Sequence, residues 1–310
     1  MLFLEKLTKD KESEWDSFIK TLQDGQFEHK TAFIEFLSKN MKNMKNYFIL
    51  KNKEIVGIVS LQKEKISFFT RYSSQGLLLK KGINKDGVIT LLKKNLKGSY
   101  IRLNDLKQNT QPNKITPLTF ILDTKNKDIQ KIFNSELESR ARRAIKKSIR
   151  AGLKIKISNS EEELTNFYPI YSKRMKAFGT IPNTLESLKE LIKNKEYKIF
   201  NVYLKNKLIA GGTMIINKNM ITNHLAASDK KYLQHSPNNF LYYHMIEYAK
   251  KHKLDLVNYG PSLKTDKVAK FKESMGGEPT SFEQHIILNK LAYKLFNLFS
   301  FTLLKLKNII

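Results

Sequence analysis

Between positions 139 and 150 the chain reads SRARRAIKKSIR, and cations dominate it. Arg140, Arg142, Arg143, Lys146, Lys147 and Arg150 fall within three helical turns, and Arg142, Lys146 and Arg150, spaced four apart, share one face. With almost no acid among them these groups repel one another and need an anionic partner. Arginine forks suit the geometry of phosphate and carboxylate. A second polar group of residues comes later. Asn258-Tyr259-Gly260-Pro261-Ser262 ends a strand in a sharp turn, where polar side chains commonly line a ligand cleft. Gly211-Gly212 sits inside the strand pattern Ile209–Met214 and implies either a ligand's close approach or crowding at a domain interface. The absence of cysteine excludes thiolate nucleophiles, thiolate metal sites and disulfides. The six histidines are scattered, with no metal-ligand spacing.

The elements that must carry these groups follow from hydrophobic periodicity. The basic run is the second half of a predicted helix that opens at Asp123-Thr124, after the strand Thr119–Leu122. Its apolar face is Ile129, Ile132, Phe133, Leu137, Ala141, Ala144, Ile145 and Ile149, and Gly152 ends it. Upstream, helices are expected around Trp15–Leu22 and from Thr31. A hairpin follows over Tyr47–Val59, then short strands at Ser67–Phe69 and Gly76–Leu79, a helix near 85–96 and a strand at Tyr100–Leu103. Polar Asn104–Asn113 reads as an interdomain connection. Downstream come a strand at 153–157, helices over 161–177 and 184–194, and a hairpin over 197–216. A strand at 220–227, a helix at 239–252, a strand at 254–259 and a loop-helix at 261–274 complete the series. The order helix, helix, hairpin, strand, helix, strand thus occurs twice. This predicts an α/β (α+β) protein of two tandem units, each a mostly antiparallel mixed sheet flanked by helices.

Composition sets the broad class. The chain has 310 residues, 41% hydrophobic, with 19 Phe and 13 Tyr, which is ample for two packed domains. Its net charge of +27 favours nucleic acid, an anionic membrane surface or a phosphorylated substrate, although abundant Lys, Asn and Ile suggest a compositional contribution. The N-terminus lacks the basic-then-apolar pattern of a signal peptide, and no run of apolar residues is long enough to span a bilayer. A cytoplasmic location is expected.

The ordered motifs resemble the FemABX family of peptidyl- and aminoacyltransferases, built from two GNAT-type acyltransferase units. Trp15, Gly25–His29 and Tyr72–Leu77 are similar to motifs of the first unit. The second unit resembles the family more closely, through Phe120–Asp123, Arg140–Lys147, Gly152-Leu153, Tyr168, Tyr171 and Arg174-Met175. Phe178-Gly179, Pro182, Ala227-Ser228, Pro237–Leu241, Tyr259-Gly260, Phe271-Lys272 and Gly276-Gly277 continue the series. The polar connection divides the chain into units over 1–113 and 114–288, and a C-terminal helix, 289–310, is expected to pack back on the first. The resemblance carries the site residues. It implies Lys272 and Tyr259 as catalytic residues, and Arg174, Ser262, Ser228, Asn238 and Tyr72 as substrate contacts. It further implies no metal and no permanently bound cofactor.

The implied reaction is amide formation. An aminoacyl or acyl group passes to an amine of a cell-envelope, peptidoglycan or sugar precursor, the acceptor being phosphorylated or lipid-linked. The donor is a co-substrate, aminoacyl-tRNA or acyl-CoA. Stretch 229–238 contains no glycine, which argues against ordinary CoA binding there. No long helical arm is visible to engage tRNA. The alternative is a basic RNA-binding protein with a degenerate acyltransferase cleft. Leu291, Leu295, Leu298, Phe299, Leu303 and Leu306 form an apolar stripe flanked by lysines. That stripe suits either a core helix or peripheral contact with the cytoplasmic face of the inner membrane.

Overall fold

The computed structural model describes residues 1–41, 43–66, 69–104, 117–281 and 283–307. The strands are β1 Leu2–Lys6, β2 Met44–Lys51, β3 Glu54–Ile66, β4 Phe69–Ser74, β5 Leu77–Leu79, β6 Tyr100–Asn104 and β7 Leu118–Asp123. They continue as β8 Lys154–Ser158, β9 Tyr197–Leu204, β10 Lys207–Ile216, β11 Met220–Ser228, β12 Leu256–Ser262, β13 Glu278–Thr280 and β14 Glu283–Ile287. The helices are α1 Glu12–Thr21, α2 Thr31–Asn40, α3 Lys85–Asn95, a single turn α4 Ile129–Lys131 and α5 Ser139–Arg150. After these come α6 Glu161–Ala177, α7 Leu185–Ile192, α8 Pro237–Lys251, α9 Lys267–Ser274 and α10 Lys290–Lys307. The chain divides into one unit of Met1–Thr110 with Phe282–Ile310 and a second of Gln111–Ser281.

The first unit is a seven-stranded sheet ordered β1-β2-β3-β4-β6-β14, with β5 paired to β3. Every pairing is antiparallel except β4 with β6. Trp15, Phe18, Ile19 and Ile34 of α1 and α2 pack on Phe48 and Ile58, while Val88 and Leu92 of α3 pack with Ile49, Val59 and Ile101. Asn84 starts α3 by accepting from the amides of Asp86 and Gly87. Strand β14, which a boundary at 288 would give to the second unit, pairs with β6 in this sheet. Tyr293 and Phe296 of α10 sit against Phe69 and Tyr100 of the same unit, whereas Leu291 and Leu295 are exposed. The side chains of Phe299, Leu303 and Leu306 lie outside the described residues, as do Ser67, Phe68 and most of the expected connection Asn104–Asn113.

The second unit repeats the plan in the order β13-β7-β12-β11-β10-β9-β8, again antiparallel throughout except for one pair, β11 with β12. Its core gathers Phe120, Leu122, Phe200, Val202, Ile221 and Val257 from the sheet with Ala141, Ile145, Phe240, Leu241, Met245 and Ile246 from α5 and α8. Ser160 and Thr184 accept from the amides of Glu163 and Ser187 and so begin α6 and α7. Gly152, at φ +76, follows the end of α5.

The long helix expected after Asp123-Thr124 is instead three pieces. α4 runs into a π-turn at Ile132–Glu136, and Leu137 then turns extended at ψ 136. The Glu138 amide bonds the Ser274 carbonyl at 2.9 Å, and Arg142 donates to the main-chain oxygens of Asn134 and Leu137. Tertiary partners therefore outweigh a periodicity that is compatible with one continuous helix. Because α5 restarts, Ile149 is 55% exposed rather than on the buried face.

The paired glycines have a local cause. A Cβ at Gly211 would lie 2.4 Å from Asn201 Oδ1 and 2.7 Å from Phe167 Cδ2, and one at Gly212 would lie 2.7 Å from the Leu225 carbonyl oxygen. The crowding comes from α6, β9 and β11 of the same unit. Gly211→Ala is expected to destabilise this unit by about 1–3 kcal/mol, measured by urea unfolding, because the buried side chains of Asn201 and Phe167 must move.

Candidate active site

The second sheet opens along one seam. β11 and β12 pair in parallel at Met220↔Leu256, Ile221↔Val257 and Thr222↔Asn258. Beyond that point β11 runs on to Ser228 against β10, and β12 runs on to Ser262 against β7. Among the described residues the two strands pair no further, so their facing backbone edges part in mid-sheet. Such edges need hydrogen-bond partners. A bulge lies on the other side of β11: Thr213 pairs with Leu225 and Met214 with Asn223, leaving His224 as the extra residue.

Polar side chains collect at the root of the opening. Asn258 Oδ1 accepts from Thr119 Oγ1 at 2.6 Å and from the Gly260 amide at 2.8 Å, fixing the strand end. Thr222 Oγ1 and Asn223 Oδ1 are buried with no hydrogen-bond partner in the protein. Two partnerless oxygens on adjacent residues are uncommon in a folded chain. Gly260 adopts φ +79, and a Cβ there would come within 3.2 Å of the Asn223 carbonyl oxygen, so a side chain would be strained and would crowd the opening. Beside the seam, His224 Nδ1 and the Tyr197 hydroxyl are 2.6 Å apart, and that hydroxyl donates to Thr213 Oγ1 at 2.8 Å. Burial lowers the His224 pKa to about 4, so its ring is neutral near pH 7.

Lys272 holds one lip of the opening. Its ammonium donates to Gly260 O at 2.9 Å, Pro261 O at 3.0 Å and Ser262 Oγ at 2.8 Å, and sits 5.6 Å from the Phe120 ring centre. Burial lowers its pKa to about 8, opposed by Asp266. The group is still charged at neutral pH, and the three oxygens it contacts favour the ammonium. The structure thus brings Lys272 and Ser262 together, with all three ammonium protons committed to strand β12. Tyr259 precedes Ser262 by three residues but points elsewhere: it is fully buried, against Tyr242, and its hydroxyl donates to Met275 O at 2.8 Å.

The other expected contacts are dispersed. Ser228 ends β11 opposite Ala210, and Asn238 lies in the first turn of α8. Arg174, on α6, lays its guanidinium 4.1 Å from the Phe178 ring centre. Tyr72 is buried in the first unit, its hydroxyl bonded to Lys97 O. On α5, Arg140 bonds Lys270 O and Glu138 and Arg142 caps the π-turn, while Arg143, Lys146, Lys147 and Arg150 are exposed. The glycine-free stretch between β11 and α8 still makes a left-handed turn, because Ser236 takes φ 56 and ψ 44 there. Missing glycine is therefore a weaker argument against a phosphate-binding turn than the sequence suggests. Among the described residues no cluster of His, Asp or Glu could hold a metal ion, and no helix is long and apolar enough to cross a membrane. Thr222, Asn223 and His224 carry no recognisable spacing and emerge only from strand pairing, whereas Asn258 lies in the strand end that the sequence already marks.

Residues 135–273 match a family model described as an acetyltransferase (GNAT) domain. No curated protein matches the sequence. Among solved structures, FemX is similar at TM-score 0.68 and 15% identity, covering 94% of this chain and 99% of that one. L-PGS from Bacillus licheniformis is similar at 0.63 and 11% identity, covering 92% and 94%. A tandem GNAT protein from the clavulanic acid biosynthesis pathway is similar at 0.53 and 9% identity, covering 92% and 99%. At such identities the likeness is one of fold.

Proposed function

We propose that this chain, a FemABX-like tandem GNAT-fold protein with an acyltransferase domain, forms an amide by transferring an aminoacyl or acyl group to an amine of a cell-envelope or sugar precursor. The observation that carries the reading is the open β11–β12 seam inside the matched domain. It offers unpaired backbone edges together with the buried, partnerless oxygens of Thr222 and Asn223. In the reaction the amine nitrogen attacks the acyl carbonyl carbon. The C–N bond forms, the ester or thioester bond breaks, and the leaving oxygen or sulfur receives the proton that the amine loses. Backbone N–H groups along the seam stabilise the developing oxyanion, and the strand ends orient the two substrates. Asn223 Oδ1 and Thr222 Oγ1 accept from N–H groups of the substrates. Lys272 keeps Gly260–Ser262 in place as the wall opposite.

Two features support the choice of partners. The exposed Arg143, Lys146, Lys147 and Arg150 suit the phosphates of a tRNA donor. The exposed Leu291 and Leu295 beside Lys290 and Lys294 suit peripheral contact with the cytoplasmic face of the inner membrane, where a lipid-linked acceptor would lie. The test offers charged tRNA and acyl-CoA donors, each labelled in the acyl group, to nucleotide-linked and lipid-linked amines. Label in an acid-stable, hydroxylamine-resistant product is expected; folded protein that transfers from no donor defeats the proposal.

The RNA contact makes its own prediction. Arg143→Ala with Lys147→Ala is expected to weaken tRNA binding and reduce the log–log salt slope by about 0.7–0.9 per lost phosphate contact. Arg142→Ala should instead lower stability, since that guanidinium caps main-chain oxygens. Fluorescence-anisotropy titrations across a salt series check both, and equal slopes for wild type and the double variant would remove the contact.

A further inference from the structure

The turn between α6 and α7 presents apolar side chains to solvent. Ile181 is 96% exposed and Phe178 58%. This turn is firmly built. The amides of Phe178, Gly179 and Thr180 donate to the carbonyls of Arg174, Lys176 and Met175 at 3.0–3.2 Å, and Thr180 Oγ1 adds a second bond to Met175 O. Tyr168 Oη donates to Asn183 O, and Asn183 N donates to Tyr171 Oη, pinning the far side. Gly179 turns the chain at φ +70. Held in this way, Ile181 and Phe178 present their side chains to solvent. An exposed apolar tip gains from entering a deformable apolar medium.

The surrounding charge selects the medium. Lys173 and Lys176 are exposed and Arg174 lies against Phe178, while no acidic residue stands between Glu163 and Glu186. An arginine stacked on an aromatic ring at the base of an apolar tip sits where a headgroup phosphate would lie once that tip enters the acyl boundary.

We propose that the α6–α7 turn inserts Phe178 and Ile181 into an anionic lipid surface, with Lys173, Arg174 and Lys176 on the headgroup phosphates. This inference rests on the acyl-transfer reading only for its purpose, bringing the second unit to a lipid-linked acceptor. The insertion can be read with no donor or acceptor present, so either idea can fail alone.

The chain has no cysteine, so Ile181→Cys in the full-length protein provides a single labelling site. Labelled with a polarity-sensitive fluorophore, it is expected to shift to the blue with vesicles of phosphatidylcholine mixed with phosphatidylglycerol. Little or no shift is expected with phosphatidylcholine alone or with inorganic phosphate. Phe178→Ser with Ile181→Asp should weaken cosedimentation with the mixed vesicles by about tenfold. The folded state is checked by its melting curve, both positions being exposed. Three results would overturn the proposal: aqueous emission while the protein cosediments, which would place the contact elsewhere; a shift that follows protein concentration without lipid, which would indicate self-association; and no cosedimentation at all.

Discussion

Lys272→Met is expected to lower the unfolding free energy of the second unit by about 2–4 kcal/mol and acyl transfer by about a hundredfold or more. The stability loss follows from what the ammonium holds. Gly260 is buried and its carbonyl oxygen loses a charged donor, as do Pro261 O and Ser262 Oγ at the more accessible end. The loss of transfer follows because those three residues form one wall of the seam, and displacement by an ångström removes orientation from the reacting pair. Lys272→Arg should fail to restore activity, since a planar fork cannot aim at three oxygens clustered around one nitrogen. Urea unfolding and initial rates on the same preparations check this. A variant as stable as wild type whose only defect is a raised KM for a phosphorylated substrate would assign Lys272 to substrate phosphate instead.

The second large effect is acid lability of the first unit. His29 is 8% exposed and is held from both sides: Nδ1 accepts from the Gln26 amide at 3.1 Å, and Nε2 donates to Gln75 O at 3.2 Å. Burial lowers its pKa to about 4, whereas the unfolded ring titrates near 6.5. The unfolded state therefore binds a proton that the folded state refuses. Stability is full above pH 6.5 and falls through the window from 6.5 to 4, by about 3 kcal/mol from this residue. Trp15, the single tryptophan, donates its indole N–H to His29 O at 2.8 Å, so its fluorescence reports unfolding of this unit. Denaturant midpoints followed by Trp15 should drop across that window in the wild type and much less in His29→Gln. Midpoints equally steep in both would move the acid sensitivity to other groups.

These two residues illustrate how far the sequence could be read. The repeated plan was legible because its signals are local: Asn84, Ser160 and Thr184 cap helices, Gly152 follows one, and strand patterns alternate where one face is buried. The break at Leu137-Glu138 was not, because a distant carbonyl, Ser274 O, sets it. Strands β13 and β14 are short and their partners β7 and β6 lie far away in sequence. The site divides in the same way. Lys272 and Ser262 were named from a family pattern and do meet, but nothing in the sequence shows that all three ammonium protons are committed. Tyr259 looked equally available, yet its hydroxyl belongs to Met275 O. Thr222 and Asn223 read as ordinary strand residues, since a sheet that opens after three paired positions is a property of two strands with α8 between them in the chain.

The central claim, that acyl transfer takes place at the β11–β12 seam, is tested most directly by replacing its two partnerless oxygens. Thr222→Val and Asn223→Leu nearly conserve volume and remove the acceptors that the proposed substrates would satisfy. Because no protein group bonds to those oxygens, the double variant should fold with wild-type stability or slightly better. Its single-turnover rate, with the donor that supports wild-type transfer, should fall by about a hundredfold. A double variant that transfers at the wild-type rate would contradict the assignment and place the chemistry elsewhere in the molecule.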